Sequence, residues 1–91
     1  MDLFEKNINK KEFYKLATEF YYNIDLEEYQ NNEVILVDKS ISFLIDHLFI
    51  PTPCFEIKIE IKNKTEEKII GYYVLYINEE KEFIDEFLIF N

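Results

Sequence analysis

The sequence predicts an α+β domain in which an N-terminal helix packs on a three- to four-stranded antiparallel sheet, the last strands forming a C-terminal β-meander. Three observations carry this expectation. Phe13, Leu16, Ala17, Phe20, Tyr21 and Ile24 recur at the spacing that lines one stripe of an α-helix. The stretch "FEIKIEIK" at 55–62 alternates apolar and charged residues, the period of a half-buried strand. Two further apolar runs, 69–77 and 83–90, flank the short polar insert "NEEKE", as the arms of a hairpin do.

Length and composition suit one domain over residues 1–91. Hydrophobic residues make up 48% of the chain and aromatic residues 18%, with Gly 1 and Pro 2, so it is built for packing and not for disorder. The bias toward Phe, Ile, Lys, Asn and Tyr is that of AT-rich coding, expected of certain bacteria, phages or mobile elements.

The helix is expected over 10–23, with Asn9 as N-cap and Glu12 placed to reach back to the Asn9 N–H as in a capping box. The segment "DLEEYQNNE" at 25–33 loses the period and reads as a loop. At 34–37, "VILV" is a short β-branched run that suits a buried strand. In "SISFLIDHLFIP", Ile41, Leu44, Ile45 and Leu48 have helical spacing and Pro51 is a stop, which predicts a short second helix over 41–49. A strand paired back onto 34–37 is the competing reading. Pro51 and Pro53 impose an extended linker.

In the first meander strand Phe55, Ile57, Ile59 and Ile61 face the core and Glu56, Lys58, Glu60 and Lys62 face away. With Ile61 opposite Ile69, residues Gly71, Tyr73, Leu75 and Ile77 join the core face. Gly71, the only glycine, marks a bulge or a close approach by the helix. The third strand is apolar at both parities, so two registers are open. Either Ile84, Glu86, Leu88 and Phe90 lie on the outer face, or Phe83, Asp85, Phe87 and Ile89 do. In both cases the outer face mixes aromatic and aliphatic groups with carboxylates, a surface too apolar to stay bare.

Charge narrows the partners. Asp and Glu number 19 against 10 basic residues, all lysine, for a net charge of −9. That balance repels phosphate backbones and anionic headgroups, so neither nucleic acid nor a membrane is an expected direct partner. The N-terminus lacks the apolar core of a signal peptide, and a single cysteine suits a reducing compartment, so a cytoplasmic setting is expected.

Candidate chemistry is sparse. His47 and Cys54 are the only His and Cys, seven residues apart, but no orienting group or oxyanion hole accompanies them. Their ordinary reading is a rim residue and a small core residue. One His and one Cys cannot make a zinc set, the carboxylates lack EF-hand spacing, and one glycine cannot make a phosphate cradle, so no metal or cofactor is expected. The acidic pairs at 27–28, 66–67 and 79–80 read as solvated turns.

Three functional classes remain, and no motif assigns the chain to a family. The leading one is an acidic protein-binding inhibitor, of the type of toxin-neutralising immunity proteins and phage inhibitors of bacterial defence. Its partner is expected to be a basic toxin, nuclease or nucleic-acid-binding effector. The expected contact residues are Tyr72 and Tyr76 as anchors, with Glu56, Glu60, Glu79, Glu80, Glu82 and Glu86 around them. The second class is a small homo-oligomeric accessory subunit, for instance a homodimer through the outer sheet face. The third is a ligand-binding or enzymatic domain with a helix-on-sheet pocket.

Overall fold

The computed structural model describes residues 9–24 and 34–91. They form an α+β arrangement in which α1 (Lys10–Tyr22) packs on a four-stranded antiparallel sheet of β1 (Val34–Leu44), β2 (Cys54–Asn63), β3 (Ile69–Ile77) and β4 (Phe83–Phe90). The strand order β1-β2-β3-β4 is a meander throughout, each strand pairing with its neighbour in sequence. The loop expected over 25–33 lies outside the described residues.

Helix α1 starts as its sequence dictates. Asn9 is its N-cap, and the Asn9 side-chain oxygen accepts the Glu12 N–H at 3.2 Å. The Glu12 carboxylate, expected to reach back to the Asn9 N–H, instead meets the Lys81 ammonium. Phe13, Ala17 and Tyr21 form the centre of the buried stripe, facing Ile57, Ile59 and Ile61 of β2 and Tyr73, Leu75 and Ile77 of β3. Phe13 meets the Phe55 ring edge-on at 5.0 Å, and Tyr21 meets Tyr73 at 5.7 Å.

Leu16 and Phe20 lie on the flank of that stripe, half-buried, with Phe20 tilted against Phe83 at 5.4 Å. Phe20→Ala therefore removes a flank contact and not the core's centre. The expected cost is about 1–2 kcal/mol, well below the roughly 3–5 of a fully buried Phe. A thermal melt of the variant checks this, and an unchanged midpoint would mean that this flank does not dock.

The expected second helix over 41–49 is not formed. Residues 41–44 continue β1, where Ile41 and Phe43 stand opposite Ile57 and Phe55 on the helix-facing side of the sheet. Phe43 packs on Phe55 at 4.9 Å between ring centres. A helix so short is marginal without strong packing, whereas a β-branched and aromatic pair across a strand is favourable. A bulge at Lys39, between Asp38 and Ser40, explains why simple alternation does not reveal this strand. It reverses the parity, so that Leu36, opposite Ile61, and Ile41, opposite Ile57, face the same side.

Gly71 stands opposite Ile61, and the bulge beside it shifts Lys62 onto Ile69, so the expected pairing of Ile61 with Ile69 is displaced while the odd-numbered core face survives. The close approach at Gly71 comes from β4 and not from the helix. A Cβ placed there would lie 2.3 Å from the Ile89 carbonyl oxygen.

In β4, Leu88 and Glu86 stand opposite Tyr73 and Leu75 and so face the helix side, while Asp85 and Phe87 stand opposite Tyr76 and Val74 on the outer side. Ile89, opposite Tyr72, is also outward. A bulge at Ile84 turns that residue outward too and leaves Phe83 beside Phe20.

Candidate functional site

The outer face is built from three rows of side chains. β2 contributes Glu56, Lys58, Glu60 and Lys62, β3 contributes Tyr72, Val74 and Tyr76, and β4 contributes Asp85, Phe87 and Ile89. Its upper part is covered by the chain's own 45–53 connection, which folds back over the sheet. Ile50 closes on Cys54, Val74 and Tyr76, with Leu44 and Ile84 packed alongside, as a second small core.

His47 shapes that connection. Its Nδ1 accepts the backbone N–H of Phe49 and that of Ile50, each at 3.0 Å, which requires an unprotonated Nδ1. The tight turn drives Ile50 inward and leaves its neighbours outside. Ile45, Leu48 and Phe49 are 76%, 86% and 84% exposed. The His47 ring lies 6.5 Å from Phe49 and 6.1 Å from Tyr76, and Tyr76 meets Phe87 edge-on at 5.8 Å. A continuous chain of rings thus runs from the exposed Phe49 to the half-exposed Phe87.

Beneath the rings the polar groups are paired. Tyr76 donates its hydroxyl to Glu56 Oε2 at 2.7 Å. Burial first, then the Glu56 carboxylate, pushes the Tyr76 phenol well above its ordinary range. Glu60 is only 5% exposed and sits between Lys39 at 3.5 Å and Lys62 at 3.8 Å, so its charge is compensated from both sides. The Lys58 ammonium lies 4.6 Å from the centre of the Tyr72 ring.

The eight residues singled out from sequence therefore separate into three places. Glu56, Glu60, Tyr72 and Tyr76 do share the outer face, but Tyr76 is buried beneath the 45–53 connection and Glu60 is engaged by lysines. Glu79, Glu80 and Glu82 are exposed in the β3–β4 turn, where the Asn78 side-chain oxygen accepts the Glu80 and Glu82 N–H groups. Glu86, expected on the outer surround, lies on the helix side and accepts the Tyr73 hydroxyl at 2.7 Å. The register explains this correction, since Glu86 is paired with the core residue Leu75.

Sequence reasoning missed Ile45, Leu48 and Phe49 as exposed groups, and it placed Phe87 and Ile89 outward only in one of its two open registers. The signal lay in "IDHLF", where a helical spacing assigned Ile45 and Leu48 to a core that the chain does not build there.

The chemistry of His47 and Cys54 follows from the same packing. Cys54 is fully buried, and burial together with Glu56 pushes its thiol up, the reverse of what a nucleophilic cysteine needs. Among the described residues no three His, Cys, Asp or Glu side chains converge as a metal site, and no helix is long and apolar enough to cross a membrane. An open groove along α1 is lined by Glu12, Lys15, Leu16, Glu19 and Lys81, and two of these, Glu12 and Lys81, pair with each other.

Comparison with known protein families, curated proteins and solved structures finds no match in any of the three.

Proposed function

We propose that the chain is an acidic, cytoplasmic protein-binding inhibitor, of the immunity-protein or phage anti-defence type, that blocks a basic toxin, nuclease or nucleic-acid-binding effector. The observation that supports it most is the exposed apolar tip Leu48–Phe49, joined through His47 and Tyr76 to Phe87 and flanked by Asp46 and Asp85. Apolar groups this exposed suit a contact whose centre is aromatic, and carboxylates beside them suit a cationic partner. The net charge of −9 extends that attraction over the Debye length, about 10 Å at moderate salt. Tyr72 lies on the same outer face, and Glu79, Glu80 and Glu82 add exposed carboxylates in the β3–β4 turn.

The test pairs capture with inhibition. The parent chain and a Leu48→Ser, Phe49→Ser variant are used as bait in a lysate of the source organism, and any retained protein is purified. The expected result is a basic protein held by the parent, lost from the variant, and inhibited in its own activity by added parent chain. A partner that binds both baits equally, or whose activity is unaffected by the chain, would refute the reading. A homodimer would show as a concentration-dependent mass in sedimentation.

A further inference from the structure

The two edges of the sheet are built differently. The β1 edge is interrupted in mid-strand by the bulge at Lys39, with Asp38 and Lys39 exposed beside it, and such features discourage a further strand. The β4 edge has its irregularity at its start, and from Asp85 to Phe90 it pairs with β3 in unbroken register. Among the described residues no strand lies beyond β4.

Three side chains along this edge are also incompletely covered. Phe87 and Ile89 are 45% and 52% exposed on the outer face, and Leu88 is only partly buried on the other. Helix α1 lies over β1, β2 and β3 and meets β4 at its first residue, through Phe20 on Phe83. Both faces next to the edge therefore offer apolar area that one more strand would cover. From Glu79 to Asn91 the chain carries Glu79, Glu80, Glu82, Asp85 and Glu86 but a single base, Lys81, which is held by Glu12. A second copy of β4 would bring carboxylates against carboxylates, whereas Lys and Arg side chains would be matched.

We propose that the outer edge of β4 docks an extended segment of the partner protein, alternating apolar and basic residues, as a fifth strand of the sheet. Main-chain hydrogen bonds would hold it, Phe87 and Ile89 would take its apolar side chains, and Asp85 with the acidic turn would take its cations. This rests on the protein-binding reading above and adds a mode of contact to it.

The probe is a short synthetic peptide of alternating valine and lysine, with a valine–glutamate peptide of the same length as control. Amide hydrogen exchange of the chain is followed with and without each peptide. The expected result is slowed exchange confined to β4 with the basic peptide, and none with the acidic one. Phe87→Lys with Ile89→Lys, shown to be folded by circular dichroism, should weaken peptide binding by about tenfold or more, the size of effect that losing ~1.4 kcal/mol of contact produces. Ile35→Ser, on the opposite edge strand β1, should leave peptide binding intact.

Several outcomes overturn the proposal. Slowed exchange at the outward-pointing amides of β4 in the chain alone would mean a second copy if it grows with protein concentration, and a segment of the same chain if it does not. No protection by the basic peptide, or equal protection by the acidic one, removes the edge as the docking site. If the edge fails while a basic partner is still lost on mutating Leu48 and Phe49, the inhibitor reading stands without it. If β4 is protected but no such partner exists, the edge stands and the inhibitor reading falls.

Discussion

Gly71→Val is expected to abolish the folded state or to cost more than about 4 kcal/mol, a loss reserved for severe steric or core defects. Even the first carbon of a side chain at this position would lie 2.3 Å from the Ile89 carbonyl oxygen, 3.0 Å from the Phe90 ring and 3.2 Å from the Phe90 Cα. The nearest obstacle is backbone, so no rotamer change relieves it. β4 would have to move away from β3, which breaks their ladder and exposes Leu75 and Tyr73. For a domain of this size each kcal/mol lowers the melting point by roughly 4–8 °C, so the variant should melt well over 15 °C lower or lack a transition. A Gly71→Val protein that melts within a few degrees of the parent would show that β4 does not pack against Gly71.

Alkaline unfolding is the second large effect expected. Tyr73 is fully buried and donates to Glu86, and burial first, then that carboxylate, raises its phenol far above the ordinary range. Tyr76 is raised for the same reasons by burial and Glu56, and burial also raises Tyr21. The unfolded chain releases these protons near pH 10, while the folded chain holds them. Stability is therefore complete below about pH 10 and falls as the pH rises through the window up to the folded-state values. Tyr73 and Tyr76 together give a slope of about 3 kcal/mol per pH unit, so two units remove about 5 kcal/mol, as much as the low end of a typical stability of 5–15 kcal/mol. Circular dichroism and tyrosinate absorbance should change together in one cooperative step above pH 10. The double variant Tyr73→Phe, Tyr76→Phe should have a shallower alkaline slope. Gradual tyrosinate formation in a chain that stays folded would contradict the burial of these phenols.

Much of the sheet was legible because residues 55–77 follow one rule. In "FEIKIEIK" the apolar parity is unambiguous, and its pairing with β3 carries Tyr73, Leu75 and Ile77 onto the same face. The helix was equally readable from its stripe, although Phe20 proved to be on the flank and Phe13, Ala17 and Tyr21 at the centre. What failed did so for local reasons. The bulge at Lys39 reverses parity within β1, so that no single alternation spans the strand and a helical period fits its second half by coincidence. In β4 both parities are apolar, and the bulge at Ile84 decides the register, which placed Glu86 against Tyr73. The candidate surface was half legible. Tyr72 and Glu56 were placed on the correct face, but the 45–53 connection covers Tyr76 and presents Leu48 and Phe49 in its stead. That exchange depends on two hydrogen bonds to one imidazole nitrogen, which no periodicity reports.

The β2–β3 and β3–β4 turns share a design. Asn63 Oδ1 accepts the Thr65 and Glu66 N–H groups, Asn78 Oδ1 accepts those of Glu80 and Glu82, and each turn passes through a left-handed residue, Glu67 at φ 57° and Lys81 at φ 65°. Each asparagine organises its reversal before any distant contact is made. Because every strand pairs with its neighbour in sequence, folding has only short loops to close, and the entropy of closure is recovered hairpin by hairpin. The β2–β3–β4 unit can thus assemble locally, and α1 is left to dock on a surface already formed. For an acidic chain with bare aromatic groups at its tip, a brief passage through the unfolded state limits the time in which those groups and the β4 edge meet other unfolded chains.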